Sequence, residues 1–183
     1  MARLFLLRHA KSSWDGSGVP DFDRPLNIRG RASAPLMGRH MVDHALVPEK
    51  ILCSSARRTR ETLAGLLPHF PGDMSIDVMR SIYTASEGTY VPILRKHGGT
   101  ARSLLLVGHN PSIQDTALAV IGHGNPEFIE QIREKFPTAG LAVIDLPTDD
   151  WADLKPGSGR IIAFFRPREL ELVGEAGPGD GDD

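Results

Sequence analysis

The sequence predicts an α/β fold, with a mostly parallel central sheet that carries helices on both of its faces. Short, continuous apolar runs recur along the chain, as expected for strands that are buried on both sides. Helical patterns lie between several of these runs, and strands that alternate with helices are typical of βαβ units. The chain has 183 residues, of which 40% are hydrophobic, so one domain with a sizeable core is expected.

The apolar runs give the predicted strands, and the stretches between them give the predicted helices. Strands are expected at residues 4–7, 51–53, 104–107, 141–144 and 161–165, with a weaker candidate at 76–78. Helices are expected at residues 27–44, 56–68, 85–97, 111–122 and 126–135. Pro35 is expected to kink the first of these helices or to end its first section, because proline lacks the N–H that a helix interior uses.

Charge is distributed unevenly along the chain. The last fifteen residues, 169–183, carry six acids and no base, so the other 168 residues hold 17 acids and 21 bases. A mildly basic body suits an anionic ligand such as phosphate, although a solvated mixed surface would give the same balance. We expect a single domain over residues 1–170, followed by an acidic, disordered tail at 171–183.

Composition argues against several other classes of protein. No apolar run approaches the ~18 residues of a membrane span, and no signal-peptide pattern is visible. Cys53 is the single cysteine, which excludes an intramolecular disulfide and a cysteine-based metal site. Since the histidines show no metal-ligand spacing and no basic aromatic patch occurs, we expect no metal, no cofactor and no nucleic-acid or membrane partner. A cytoplasmic location fits this pattern.

Polar side chains follow three of the predicted strands. Arg8 and His9 come directly after the first strand, Arg58 follows the second, and His109 follows the run "SLLLVG". In open α/β sheets, ligands bind beyond the carboxyl ends of the strands. These four side chains are therefore expected to converge on one edge of the sheet.

This set of residue types suits phosphoryl transfer. A neutral imidazole is a nucleophile toward phosphorus when an acceptor holds its other N–H, and it needs no metal. The guanidinium groups of Arg8 and Arg58 match phosphate oxygens bidentately, and His109, if protonated, would add a third cation. Backbone N–H groups of the turn at residues 10–13, with the Ser12 hydroxyl, are further candidate donors. The alternatives are a surface Arg-His pair and a His109 that only precedes a helix.

The motifs that carry these residues resemble the histidine phosphatase superfamily, which also contains the cofactor-dependent phosphoglycerate mutases. The superfamily signature after the first strand is Arg-His-Gly or Arg-His-Ala, here Arg8-His9-Ala10. Within the superfamily the chain is most similar to the SixA-like phosphohistidine phosphatases. The similar stretches reach from residue 4 to about 170: "LLRHAKSSW", "DFDRPLNIRG", "SSARRTRET", "LLLVGHNPSI", "FPTAGLAVID" and "RPREL". This resemblance implies the three-layer sandwich of the phosphoglycerate mutases.

The resemblance also implies roles for individual residues. It implies that His9 is phosphorylated during turnover and that Arg8 and Arg58 bind the phosphoryl group. Arg58, and not Arg57, falls at the position of the family's arginine, and His109 would be the second histidine of the pocket. The remaining matches are expected to shape the entrance, with no chemistry assigned: Asp21, Asp23, Arg24 and Pro25.

Two positions depart from the mutase pattern. Asp15 stands where mutases typically have an asparagine that contacts phosphate, and a carboxylate there would repel the ligand. In the region "IYTASEGTY", where mutases and acid phosphatases carry their general acid, Glu87 is the only carboxylate. Thr84 and Glu87 also fit a helix capping box, which we favour over a role for Glu87 as a general acid. SixA-like members resemble this arrangement in lacking a dedicated acid.

The sequence therefore predicts a metal-independent phosphatase that acts through phosphorylated His9. The favoured partner is a protein that carries phosphohistidine, such as a phosphocarrier or phosphorelay domain, with inorganic phosphate as the product. A small-molecule phosphomonoesterase using the same site is the first alternative. A mutase-type phosphotransferase is less favoured, since the chain lacks long insertions, and a phosphate-binding module without turnover is the non-enzymatic alternative.

Overall fold

One sheet forms the centre of the molecule. A computed structural model describes residues 1–14, 18–85 and 87–175, the last four of them by backbone alone. Within those residues the sheet has seven strands: β1 (Ala2–Arg8), β2 (Lys50–Ser54), β3 (Ser75–Met79), β4 (Ser103–Gly108), β5 (Ile121–Gly124), β6 (Leu141–Leu146) and β7 (Gly159–Phe165). Their order across the sheet is β3-β2-β4-β1-β6-β7-β5.

The sheet is mostly parallel, as predicted. β1 pairs in parallel with β4, β4 with β2, and β2 with β3, while β5 and β7 also form a parallel pair. Only β6 runs against its neighbours, β1 and β7. The carboxyl ends of β1, β2 and β4 therefore lie at one edge, where the sequence placed the candidate site.

The helices cover both faces of this sheet. They are α1 (Ile28–Asp43), α2 (Arg57–Leu66), α3 (Arg80–Thr84), α4 (Val91–His97), α5 (Ser112–Val120), α6 (Pro126–Glu134) and α7 (Pro167–Glu175). Short 3-10 turns add Asp21–Asp23, Leu67–His69 and Trp151–Asp153. None of the helices among the described residues is long and apolar enough to cross a membrane.

Two apolar layers hold these helices against the sheet. Along β1, Leu4 and Leu6 belong to one layer, and Phe5 and Leu7 belong to the other, because successive side chains of a strand point to opposite faces. Buried side chains of α4, α5 and α6 complete the first layer, and those of α1, α2 and α7 complete the second. The α/β class with helices on both faces is confirmed.

The helix predicted over residues 85–97 is wrong at its start. The chain forms α3 before this point, and α4 begins only at Val91, with Pro92 in its first turn. Gly88 between them has a φ of 83°, a left-handed conformation that is incompatible with a continuing helix. Thr84 is the last residue of α3, so it forms no capping box with Glu87 and the structural role predicted for Glu87 is wrong.

Other local predictions also need correction. α1 begins after Asn27, whose side chain accepts the Gly30 N–H, and it runs through Pro35 to Asp43. Pro35 therefore does not end a first section of the helix, and the alternative of a kink stays a prediction. The sequence did not predict α3, β5 or α7. Because α7 continues to Glu175, the division into a domain at 1–170 and a tail at 171–183 stays a prediction, and residues 176–183 lie outside the described residues.

Candidate active site

His9 lies directly beyond the end of β1 and is held on two sides. Its backbone N–H donates to the carbonyl of Gly108 at 3.0 Å, and its Nδ1 lies 2.7 Å from the carbonyl oxygen of Ala10. A carbonyl oxygen only accepts, so Nδ1 must carry the hydrogen, which leaves Nε2 with a free lone pair. The local turn of the chain therefore presents Nε2 as a nucleophile.

The environment of His9 keeps its imidazole neutral. Burial is the largest effect that lowers its pKa, which lies well below 6.5, and the nearby charges of Arg58 and Arg8 lower it further. The hydrogen bond to Ala10 opposes this shift without reversing it. At neutral pH the ring is therefore unprotonated at Nε2, as nucleophilic attack requires.

Arg58, which is buried, and Arg8, which is half-buried, bring positive charge to the same place. Arg8 Nη1 donates to the carbonyl of Phe136 at 2.9 Å, and Arg58 Nη1 donates to the carbonyl of Asp21 at 2.7 Å. The Nε atoms of both arginines are buried and have no hydrogen-bond partner among the described residues. Because a buried donor without a partner costs free energy, these groups favour a bound anion.

Three neighbouring arginines at the start of α2 differ in their exposure and in the groups that they contact. Arg58 is 5% exposed and faces the site, whereas Arg57 is half-exposed and pairs with Glu61 at 2.8 Å. Arg60 donates to the carbonyl of Ser55 on the outside of the helix. Of the three, the structure brings only Arg58 to the histidines.

His109 lies beyond the end of β4, with its ring centroid 5.3 Å from that of His9. The Tyr90 hydroxyl accepts its backbone N–H at 3.1 Å, and a Cβ on Gly108 would lie only 2.8 Å from the Tyr90 ring. Its Nε2 is 2.7 Å from the Ser54 hydroxyl, while Nδ1 is buried without a partner among the described residues. If the hydroxyl donates to Nε2, Nδ1 carries the hydrogen and can donate to a ligand.

The third cation expected at His109 is not present in this arrangement. Burial, followed by the charge of Arg58, lowers the pKa of His109 to about 3. A neutral ring still offers one N–H, so His109 acts as a hydrogen-bond donor and not as a charge. The sequence could not foresee this, because the burial of His109 depends on how the rest of the chain packs around it.

A carboxylate that the sequence left without a chemical role lies inside the site. Asp21 Oδ2 accepts from Arg58 Nη2 at 3.2 Å and from the Tyr83 hydroxyl at 2.9 Å, and Oδ1 accepts from Arg24 Nε at 3.0 Å. Burial alone would raise the pKa of Asp21, but the Tyr83 hydrogen bond and the charges of Arg58 and Arg24 outweigh it, and the pKa is lowered. Asp21 is therefore ionised and holds two arginines in place.

The turn after His9 is fixed mainly by the protein itself. The Ala10 N–H donates to the Thr62 hydroxyl at 3.0 Å and the Ser13 N–H to the carbonyl of Pro25 at 2.9 Å. These two amides are not available to a ligand, so the predicted nest of backbone donors at residues 10–13 is incomplete. The Ser12 hydroxyl accepts from Arg24 Nη1 at 3.1 Å and lies in the same cleft.

Together these side chains line a cleft of about 290 Å³ at the carboxyl edge of the sheet. The predicted residues Arg8, His9, Ser12, Arg58 and His109 all line it. Six more described residues complete the lining: Lys11, Trp14, Asp21, Arg24, Asn110 and Thr138.

Comparison with known proteins identifies the family of this chain. The family model of the histidine phosphatase superfamily (branch 1) matches residues 4–82. The provisionally assigned phosphohistidine phosphatase SixA of Agrobacterium tumefaciens is 34% identical, with a TM-score of 0.76, and the match covers 91% of this chain and 97% of that one. The chain belongs to the histidine phosphatase superfamily.

Two further matches also extend over most of the chain. The uncharacterized protein Rv1276c of Mycobacterium tuberculosis is 37% identical over an alignment of 164 residues that covers 88% of this chain and 100% of that protein. A protein histidine phosphatase SixA complexed with tungstate shares the fold, with a TM-score of 0.68, 21% identity and coverage of 92% of this chain and 99% of that one. The fold expected from the resemblance is confirmed.

This histidine phosphatase has no described carboxylic acid in its cleft besides Asp21. Glu87 is exposed and does not line the cleft. Asp15, which we expected to repel phosphate, lies outside the described residues. No group of three or more His, Cys, Asp or Glu side chains within the described ranges could hold a metal ion. Metal independence and the absence of a cofactor remain predictions.

Proposed function

We propose that the protein hydrolyses phosphohistidine on other proteins, through an intermediate in which His9 carries the phosphoryl group. One observation carries the proposal. The cleft combines a neutral, oriented imidazole with the buried Arg58 and the half-buried Arg8, and its one described carboxyl group, Asp21, is ionised. Such a site can attack phosphorus and stabilise charge, but it has little capacity to protonate an alcohol leaving group.

In the first step, Nε2 of His9 attacks phosphorus while the bond from phosphorus to the substrate's imidazole nitrogen breaks. The hydrogen bond from Nδ1 to Ala10 stabilises the positive charge that the ring gains. Arg8 and Arg58 bind the phosphoryl oxygens, whose negative charge is shared among three equatorial positions in the transition state. When the Ser54 hydroxyl donates to Nε2 of His109, the Nδ1–H of that ring, which has no partner among the described residues, supplies one more hydrogen bond.

The leaving group explains why this site suits phosphohistidine. When the second nitrogen of the substrate's imidazole is protonated, the ring departs as a neutral molecule and needs no proton from the enzyme. An alkyl phosphate must depart as an alkoxide or receive a proton from a general acid, a contribution worth ~10²–10⁴-fold. Since Asp21 is ionised and Glu87 lies outside the cleft, the described residues favour the first class of substrate.

In the second step, water attacks phosphorus in phosphorylated His9, inorganic phosphate departs, and the lone pair of Nε2 is restored. The bond that breaks is again a bond from phosphorus to an imidazole nitrogen, so the same argument about the leaving group applies. No metal takes part in either step. Similarity to the Agrobacterium protein, a provisionally assigned phosphohistidine phosphatase, supports the choice of substrate.

A panel of three substrates tests the proposal. A histidine-phosphorylated phosphocarrier or phosphorelay protein should give the highest kcat/KM, nitrophenyl phosphate should be hydrolysed, and phosphoglycerate should be hydrolysed poorly. Equal or faster hydrolysis of phosphoglycerate would instead favour a small-molecule phosphomonoesterase. Preparations of His9→Ala, tested in parallel, control for contaminating phosphatases.

A further inference from the structure

We propose that a basic groove beside the catalytic cleft binds an acidic segment of the phosphorylated protein. The inference rests on the proposed function, and it names the kind of surface that would bring phosphohistidine to His9. The groove is a cavity of about 550 Å³ between the first turns of α1, the end of α6 and the first turns of α7. It is about twice as large as the cleft of about 290 Å³.

The groove and the cleft are continuous. Lys11 and Thr138 line both cavities. Lys11 lies in the turn after His9, and α1 approaches it so closely that a Cβ on Gly30 would lie 2.1 Å from the carbonyl oxygen of Lys11. A chain bound in the groove is therefore led to the catalytic histidine across Lys11.

Basic side chains outnumber acidic ones in the groove once the ion pair within its lining is set aside. Arg166 is paired with Glu169 at 2.5 Å. The other basic side chains of the groove form no ion pair with the described residues: Lys11, Arg29, Lys135 and Arg168. Two acidic residues, Glu134 and Glu171, oppose these four.

On this face of the molecule basic side chains outnumber acidic ones. The described lining of groove and cleft holds eight of the chain's 21 bases and only four of its 23 acids. At the opposite end of the sheet, a third cavity is lined by Asp149, Asp150 and Asp153, with Lys155 as its one described base. Such a separation of charge orients an acidic partner toward the catalytic face as it approaches.

The exposure of the groove favours a protein segment over a second small anion. Lys11, Arg29, Lys135 and Arg168 are all exposed, and exposed long side chains attract charge without building a closed site. A small anion would need buried donors such as those of the cleft. The groove is also lined by Pro137 and Pro167, which offer apolar contact to a peptide chain.

Two matched peptides test the inference. Each carries one phosphohistidine, flanked by glutamates in the first peptide and by glutamines in the second. At low ionic strength the wild-type enzyme should prefer the glutamate peptide by about tenfold in kcat/KM, and salt should reduce this preference. The variant Lys135→Glu/Arg168→Glu should lose the preference, yet hydrolyse nitrophenyl phosphate within about twofold of wild type, because neither residue lines the cleft.

The control variant Lys96→Glu/Lys155→Glu makes the same change in net charge away from the groove and should retain the preference. A wild-type enzyme without a preference for the glutamate peptide, or an equal loss of that preference in both variants, would overturn the inference.

Hydrolysis of nitrophenyl phosphate without hydrolysis of either peptide would mean that the proposed function has failed. In that case, the binding of the unphosphorylated glutamate peptide, measured by fluorescence anisotropy, still tests whether the groove binds an acidic segment. Weaker binding to the groove variant alone supports the groove, and equal binding by all three proteins refutes it.

Discussion

Replacing Arg58 by alanine should impair catalysis far more than the same change at its neighbour Arg57. The two residues start the same helix, but only Arg58 lies in the cleft, where it is 5% exposed and touches Asp21. Arg57 is half-exposed and pairs with Glu61. Because Glu61 also accepts the Leu26 N–H at 2.7 Å, it stays in place when Arg57 is removed.

The position of each arginine determines how large a loss of kcat is expected when it is replaced by alanine. Loss of one preorganised donor from a site that stabilises transition-state charge costs about 2.7–4 kcal/mol, or roughly 10²–10³-fold in kcat. Arg58→Ala should show a loss of this size with nitrophenyl phosphate. An exposed ion pair on a helix contributes only about 0.3–0.5 kcal/mol to stability, so Arg57→Ala should leave kcat almost unchanged.

Steady-state kinetics and urea unfolding of both variants provide the assay. Unfolding shows whether Arg58→Ala is still folded, so that a lost activity can be assigned to the site. Equal losses of kcat in the two variants, or a larger loss for Arg57→Ala, would refute the assignment of Arg58 to the phosphoryl group.

Three further predictions follow from the site. Activity toward nitrophenyl phosphate should survive EDTA and need no added metal, and loss on chelation that one particular metal restores would contradict this. Glu87→Gln should change the rate on phosphohistidine protein by less than about threefold, against ~10²-fold for loss of a general acid, whereas a large fall confined to alkyl phosphates would identify Glu87 as the acid. Because the folded-state pKa of His109 is about 3 and its ordinary value is 6.5, the unfolded chain takes up the proton first as pH falls. The free energy of unfolding should therefore decline below about pH 6.5 by up to ~1.4 kcal/mol per pH unit from this residue, and urea titrations of His109→Gln should show a shallower decline.

The central strands could be predicted because strands in the middle of a covered sheet are built almost entirely from apolar residues. β1, β2, β4 and β6 are apolar and buried on both faces, so continuous hydrophobic runs mark them. β5 carries the sequence Ile-Gly-His-Gly and pairs only with β7 at the edge, which leaves no such run. Local pattern also favoured a helix over all of residues 85–97, but only α4, from Val91, is helical there, because Gly88 has a left-handed conformation.

The convergence of side chains at the candidate active site was predictable for a related reason. Arg8, His9 and His109 follow strands that are easily recognised, and parallel strands bring their carboxyl ends together. The role of Asp21 was not predictable, because it depends on how the turn Asp21–Asp23 lies against Arg58 and Tyr83. The neutrality of His109 likewise depends on burial that spacing along the chain does not reveal.

The covalent intermediate offers the most direct test of the account. Rapid quenching of the wild-type enzyme with ³²P-labelled substrate should trap phosphate that is labile in acid and stable in base, as expected of a phosphorylated imidazole. Peptide mapping should place the label on His9, and His9→Ala should remain folded, carry no label and show no turnover. Label on Ser12 or Ser55, stable in acid, would contradict the proposed mechanism.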